Sequence, residues 1–323
     1  MTKAFRIYEH GGPEVLRWED VEVGVPGPGE ARVRHHAVGL NFIDVYHRSG
    51  LYKLALPSGI GVEGAGVVEA VGAGVTNVVP GDRVAYERPP GAYSELRLCP
   101  AERLVKLPKG IGFEQAAAMM VKGLTVQYLI RRTFRVQSGQ VVLLHAAAGG
   151  VGLIACQWLK ALGVSVIGSV GSESKAELAR AHGCAHTIVL GKEDFVARVR
   201  ELTNGEGVPV VYDSIGKDTF LGSLDCLQPF GTLVTYGNAS GPVAPIAPGL
   251  LAAKGSLFLT RPSLDTYAAK RADLEAMAAD LFDTVLSGKI RIAINQRYPL
   301  RDAAHAQCEL MERKTTGSTV LLP

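Results

Sequence analysis

Between Gln140 and Thr260, short β-branched apolar runs alternate with amphipathic stretches, and no other feature of the chain restricts its fold as strongly. QVVLLHA is followed by LIACQWLKALG, VSVIGSV by SKAELARAHG, HTIVL by EDFVARVRELT, and PVVYDSI by TFLGSLDCLQPFG; TLVTYG and SLFLT close the series. Apolar runs too short for helices, each followed by helical periodicity, read as buried parallel strands with crossover helices. About six such strands predict a doubly wound parallel sheet of Rossmann type.

The flanking segments follow other rules. Upstream, ARVRHHAVGLN, GAGVVEAVGAGV, DRVAYE and AYSELRLC are short strands punctuated by Gly and Pro, which predicts a twisted, mainly β domain. Ala4 to Tyr8 reads as a further short strand, and the first longer helix is expected near Glu114. Downstream, the pattern predicts a helix from Tyr267 to Ser287, strands around Lys289 to Tyr298, a helix from Asp302 to Glu312 and a terminal strand STVLL. These elements leave the βαβ alternation, so the tail is expected to return to the first domain.

Within the Rossmann series, HAAAGGVGLIACQ places Gly149, Gly150 and Gly152 between an expected strand (140–146) and an expected helix (153–162). Glycine lets the backbone approach a pyrophosphate, whose negative charge is favoured by the free N–H groups and dipole of a helix start. Gly149, Gly150 and Val151 are therefore candidate dinucleotide contacts, although Ala147 stands at the first position of the usual G-x-G-x-x-G. At the end of the next strand, VIGSVGSESK lacks the carboxylate that accepts from a ribose 2′-hydroxyl in NAD sites. Gly171, Ser172 and Lys175 suit a 2′-phosphate instead, and NADPH/NADP is the expected cofactor; Glu173 opposes that charge.

Composition narrows the classes. With 47% hydrophobic and 20% charged residues over 323 positions, and no continuous apolar span, the chain reads as globular and free of a membrane helix. The N-terminus lacks the apolar core of a signal peptide, which suggests a cytoplasmic location. A net charge of +3, without a basic stripe, argues against nucleic acid as a partner, and Arg131, Arg132 and Arg135 read as a solvated helix face. Five scattered cysteines suggest reduced thiols rather than a zinc lobe or disulfide framework.

GLNFIDVYHRSGLY, PSGIGVEGAGVV, KGLTVQYL, HAAAGGVGLIACQ, VVYDSIG and LTRPSL occur in this order, and a chain that carries them resembles the zeta-crystallin-like quinone oxidoreductases of the medium-chain dehydrogenase/reductase superfamily. The resemblance implies a GroES-like, mainly β catalytic domain (1–121 plus 262–323), a Rossmann NADPH-binding domain (122–261) and a homodimer. Zinc-dependent alcohol dehydrogenases of the superfamily carry Cys near the position of Asn41 and a His-Glu pair where this chain has Val62-Glu63. Valine ligates no metal, so zinc-independent chemistry is expected. His35 and His36, adjacent in a strand, should face opposite sides, and with His47 they read as packing or surface groups.

By the same resemblance, Asn41, Phe42, Asp44 and Tyr46 line the cleft beside the nicotinamide, with Tyr52 near the substrate opening. Asn41 and Asp44 suit equally the cap of a short helix, and Tyr46 and Tyr52 a packed loop. Thr125, Tyr128, Ser214, Asn238 and Arg261 match cofactor-contacting positions, and Arg313 or Lys314 the basic residue at the adenosine phosphate. Leu190 replaces an aromatic residue that stacks in relatives. The implied reaction is zinc-free reduction of a quinone by NADPH, with Asn41, Tyr46, Tyr52 and Arg261 as catalytic candidates. Reduction of α,β-unsaturated ketones or aldehydes is the enzymatic alternative, and a nucleotide-binding structural or RNA-binding protein the non-enzymatic one.

Overall fold

The computed structural model describes residues 1–323 and divides into two compact units. The first comprises Met1–Lys122, Arg271–Phe282 and Ile292–Pro323; the second comprises Gly123–Lys270 and Asp283–Arg291.

A seven-stranded sheet organises the first unit, in the order Ile294–Pro299, Ser318–Leu322, Glu30–Leu40, Glu63–Val71, Arg83–Glu87 and Val105–Lys106, with Leu96–Pro100 also paired to Glu30–Leu40. Arg17–Val21, Thr2–Ile7 and Ser58–Gly59 form a smaller sheet. In the long strand, Ala31, Val33, His35 and Ala37 are buried while Arg34 and His36 are exposed, the alternation of a strand with one face on a core. That core gathers Phe5, Val33, Val68, Val84, Tyr86, Leu104, Leu300 and Leu321, and each large aliphatic side chain so buried contributes about 1.5–3 kcal/mol. The tail does return: Thr319, Val320 and Leu321 pair antiparallel with Leu40, Gly39 and Val38.

The second unit carries Val141–Leu144, Ser165–Val170, His186–Val189, Val208–Asp213, Leu227–Thr235 and Phe258–Thr260 as one parallel sheet. Numbered along the chain, its strands lie in the order 3-2-1-4-5-6, the Rossmann arrangement. Leu143, Ile167, Ile188, Val211, Phe220 and Leu233 fill one of its cores. The expected α/β class, a Rossmann sheet in one unit and a mainly β fold in the other, is what forms.

Two helices differ from the sequence pattern. TFLGSLDCLQPFG yields only Phe220–Asp225 as helix, and the next strand already starts at Leu227, because Pro229 has no N–H to continue a helical ladder. The expected helix 267–287 begins only at Arg271 and runs to Leu286, after extended backbone at Lys270, and Tyr267 closes a separate short helix, Leu264–Tyr267. No helix is long and apolar enough to cross a membrane.

Candidate active site

In the first unit, the long strand ends at Leu40 and the chain turns into the helix Phe42–Ser49. Asn41 is its N-cap: its backbone N–H donates to Asp44 Oδ2 at 2.9 Å, so both residues do cap this helix. Asp44 is fully buried and also accepts from the Tyr93 hydroxyl at 2.9 Å. Burial pushes its carboxyl up to about 7, against the lowering effect of those two donors.

The Asn41 side-chain amide points elsewhere and donates to Glu63 Oε2 at 2.8 Å. Glu63 is wholly buried; the same oxygen receives Lys122 Nζ at 3.2 Å, and Oε1 receives the Val121 N–H at 2.8 Å. Gly39 makes room for this carboxylate, since a Cβ there would stand 2.2 Å from Glu63 Oε2 and 2.1 Å from the Ala117 carbonyl oxygen. Glu63 and Lys122 both lie in motifs that carry the family resemblance, yet nothing in their spacing announces that they pair.

Tyr46 projects from the helix with 9% of its surface exposed and meets the half-buried Tyr52 edge to face, ring centroids 5.2 Å apart. Phe42 lies 6.0 Å from Tyr46, and the Tyr52 N–H donates to the Tyr46 carbonyl at 3.0 Å, so one packed aromatic group holds all three rings. Behind it, buried Arg48 donates to Gln307 Oε1 and the Gly11 carbonyl, each at 2.6 Å. These bonds fix the helix against both the start and the end of the chain.

In the second unit, the first Rossmann strand ends at Leu144, and Ala146 takes the left-handed conformation, φ 55°, before Gly149 caps the helix Gly150–Ala161. A Cβ at Gly152 would stand 2.4 Å and 2.5 Å from the carbonyl oxygens of Ala146 and Ala147. Gly152 therefore permits the close approach of helix and turn, the role of the third glycine in a dinucleotide fingerprint. Gly149, whose added Cβ would meet nothing closer than 3.3 Å, leaves the helix start uncovered.

A buried polar chain underlies this turn. His145 Nδ1 lies 2.7 Å from Ser169 Oγ and Nε2 2.9 Å from Ser223 Oγ, while Ser223 donates to Asp213 Oδ2 at 3.0 Å. Asp213 further accepts from Thr219 Oγ1 and from the N–H groups of Ile215 and Gly216. Burial holds the imidazole below its ordinary pKa, with Asp213 opposing. The chain ties the carboxyl ends of the first, second and fourth strands together, and Ser214 and Asn238 emerge from that end of the sheet. Gly237 packs directly on Ser214, 2.4 Å from its carbonyl oxygen if a Cβ were present.

Ser172 caps the helix Glu173–Ala181, its Oγ accepting the Lys175 N–H at 3.3 Å. Gly171 faces open space, and Glu173, the residue that opposes a phosphate, pairs with Lys192 at 3.1 Å. Thr125 and Tyr128 share one helix, and Tyr128 stacks on Tyr267 with centroids 4.6 Å apart. Burial raises the Tyr128 hydroxyl, while a hydrogen bond from Thr125 and the charge of Arg261 lower it, so these three groups are neighbours. In the first unit, Arg313 follows the last helix at φ 60°, and Lys314 pairs with Glu312.

The donor set does not suit zinc. Val62 is buried, and no three His, Cys, Asp or Glu side chains stand together in a metal-binding group. His35 is buried between Tyr86 and the Ser94 carbonyl, His47 is buried, and His36 stacks on Phe113, so the three act in packing.

Residues 27–109 match the alcohol dehydrogenase GroES-like domain family, and residues 150–280 match the zinc-binding dehydrogenase family. A quinone oxidoreductase of Pseudomonas aeruginosa is 58% identical, with all of both chains covered. The chain belongs to the quinone oxidoreductase family of medium-chain dehydrogenases/reductases.

Its architecture agrees closely with that family: the structure of Escherichia coli quinone oxidoreductase complexed with NADPH superposes with a TM-score of 0.98 at 47% identity, covering 99% of this chain and 100% of the other. A 2-haloacrylate reductase from a Burkholderia species is 48% identical over 100% of this chain and 99% of its own. The chain is thus an oxidoreductase of this family, and the resemblance read from its motifs holds over its full length.

Proposed function

We propose that this enzyme is an NADPH-dependent quinone oxidoreductase that works without zinc. The observation that carries the reading is the full-length identity to quinone oxidoreductases, one of which was crystallised with NADPH. NADPH, when bound, supplies a hydride.

The chain's own residues bind, orient and stabilise. Gly150 and Val151 offer backbone N–H groups and a positive helix end to the pyrophosphate, while Gly149, its own N–H held by the Ala146 carbonyl at 3.0 Å, lets the phosphates approach closely. Gly171, Ser172 and Lys175 take the 2′-phosphate, and Lys192 supports them by neutralising Glu173. In the second unit, Thr125, Tyr128, Ser214, Asn238 and Arg261 are the proposed contacts to the nicotinamide end; in the first, Asn41, Phe42 and Tyr46 are proposed cofactor contacts, and the buried Asp44 holds their helix through its cap. Arg313 or Lys314 serves the adenosine phosphate. The second unit, Gly123–Lys270 with Asp283–Arg291, accordingly acts as the nucleotide domain, and the first, Met1–Lys122 with Arg271–Phe282 and Ile292–Pro323, as the catalytic domain.

Tyr46, Tyr52 or Arg261 donates a hydrogen bond to the oxygen on which charge develops, while the catalytic candidate Asn41, its amide bonded to Glu63, positions the helix that carries Tyr46. No committed acid is required, because an aromatic hydroquinone anion is stable enough to take its proton from water. The Burkholderia relative supports a second reading, reduction of a carbon–carbon double bond activated by an electron-withdrawing group. Consumption of NADPH with quinones and α,β-unsaturated carbonyls, assayed in parallel, separates the two.

The working form is a homodimer: Phe258–Thr260 lies at an open sheet edge with Phe258 and Leu259 exposed, a surface that favours pairing with a second copy. Five free cysteines support a reducing, cytoplasmic setting.

A further inference from the structure

Cys156 and Cys184, well separated in sequence, meet beneath the glycine-rich turn. Cys156 lies on the helix Gly150–Ala161, its Sγ 3.9 Å from the Ala147 carbonyl oxygen. Cys184 precedes the strand His186–Val189, and a Cβ added to Gly168 would stand 2.6 Å from its Sγ and 2.7 Å from the Ala147 Cβ. Both sulfurs thus border Ala147, and each thiol shifts the titration of the other.

Cys184, 5% exposed, is the more accessible of the two. Cys184 lines a surface cavity of about 370 Å³ together with Lys160, Arg180, Ser165 and Gly183, whereas Cys156 is wholly buried. Two cations at the cavity favour the thiolate of the outer cysteine. The neighbouring Cys156 lowers the Cys184 thiol, with Arg180 acting in the same direction, and Cys184 together with burial raises Cys156. The reduced Cys184 thiol is held in place by the His186 carbonyl at 2.9 Å and the Val166 carbonyl at 3.4 Å.

We propose that Cys156 and Cys184 form a redox-sensitive dithiol, oxidised to a disulfide by small hydroperoxides that enter through the Lys160–Arg180 cavity. Cys184 attacks the terminal peroxide oxygen; the O–O bond breaks, releasing water or an alcohol and leaving a sulfenic acid. The Cys156 sulfur then attacks the Cys184 sulfur, the S–S bond forms, the S–O bond breaks, and hydroxide leaves with the Cys156 proton as water. The thiols lose two electrons and the hydroperoxide gains them.

Bond formation draws the two sulfurs from non-bonded contact to bonding distance, which shifts the helix Gly150–Ala161 at Cys156 and with it the turn at Ala147 on which the helix packs. Oxidation therefore weakens cofactor binding at Gly149 and Gly150. This consequence rests on the NADPH reading above; the disulfide itself does not.

The full-length protein is treated with hydrogen peroxide, blocked with an alkylating agent under denaturing conditions, and peptide-mapped without reduction. The expected result is a Cys156–Cys184 cross-link, the loss of two alkylatable thiols and recovery of both with dithiothreitol. Cys184→Ser abolishes the cross-link, while Cys156→Ser leaves a Cys184 sulfenic acid that dimedone traps. NADPH affinity falls on oxidation of the wild type and stays constant in the folded Cys184→Ser protein. Cys156 and Cys184 both remaining alkylatable after the more exposed Cys308 has been oxidised, or cross-linking through other cysteines, overturns the dithiol. A cross-link without a change in NADPH affinity overturns only the coupling.

Discussion

Asn41 and Glu63 are joined by a side-chain hydrogen bond of 2.8 Å, and through Glu63 the cap of the helix Phe42–Ser49 reaches the Lys122 ammonium. With Glu63 wholly buried and the Lys122 side chain 8% exposed, removing either partner strands a charge in a poorly solvated place. Glu63→Ala is expected to lower unfolding free energy by about 3–5 kcal/mol, and the added change Lys122→Met to recover part of the loss. Urea unfolding of the two variants measures both values.

Lys175 distinguishes the two nicotinamide cofactors. A charged hydrogen bond to a 2′-phosphate contributes about 1.5–3 kcal/mol, so Lys175→Ala should weaken NADPH about 10- to 100-fold and leave NADH affinity unchanged. Fluorescence titration with both cofactors reads the difference.

Gly152 and Gly171 should separate packing from binding. Gly152→Ala sets a methyl group against two backbone oxygens, so the variant should lose about 1–3 kcal/mol of stability along with cofactor affinity. Gly171→Ala meets no atom within 4 Å; its unfolding midpoint should stay constant while NADPH affinity falls. Thermal melts with and without NADPH test the contrast.

Asp44 gives the folding equilibrium a pH dependence of defined sign. Its carboxyl is raised from 3.8 to about 7, so across that interval the native state retains a proton that the unfolded state releases. Its contribution to stability is full below 3.8 and is lost as pH rises towards 7. His35, lowered from 6.5 to about 4, acts in the opposite direction, losing its contribution as pH falls through that range. Asp44→Asn should remove the first slope and leave stability rising with pH between about 4 and 6.5, as followed by urea midpoints.

The Rossmann half was legible because its signals are local: each buried strand is a continuous apolar run, and the glycine turn sits at a strand–helix junction. The double role of Asn41 and Asp44 was legible in part, since Asn followed three residues later by an acid is a capping pattern. Glu63 with Lys122, and His145 with Ser169 and Ser223, were hidden because strand order, not sequence spacing, brings them together. The helix read through LQPFG failed where Pro229 ended the ladder and a strand took over. Cys156 and Cys184 are far apart in sequence for the same reason: the packing of the helix Gly150–Ala161 on the turn at Ala147 and the pairing of the second and third strands bring both to Ala147.

Steady-state oxidation of NADPH with a panel of quinones, run beside NADH and beside α,β-unsaturated ketones, tests the central claim most directly. The account predicts quinone turnover with NADPH at a kcat/KM above that for NADH and for every enone in the panel, with no change on treatment with a zinc chelator. NADPH binding without turnover of any quinone, or faster reduction of the enones, would contradict it.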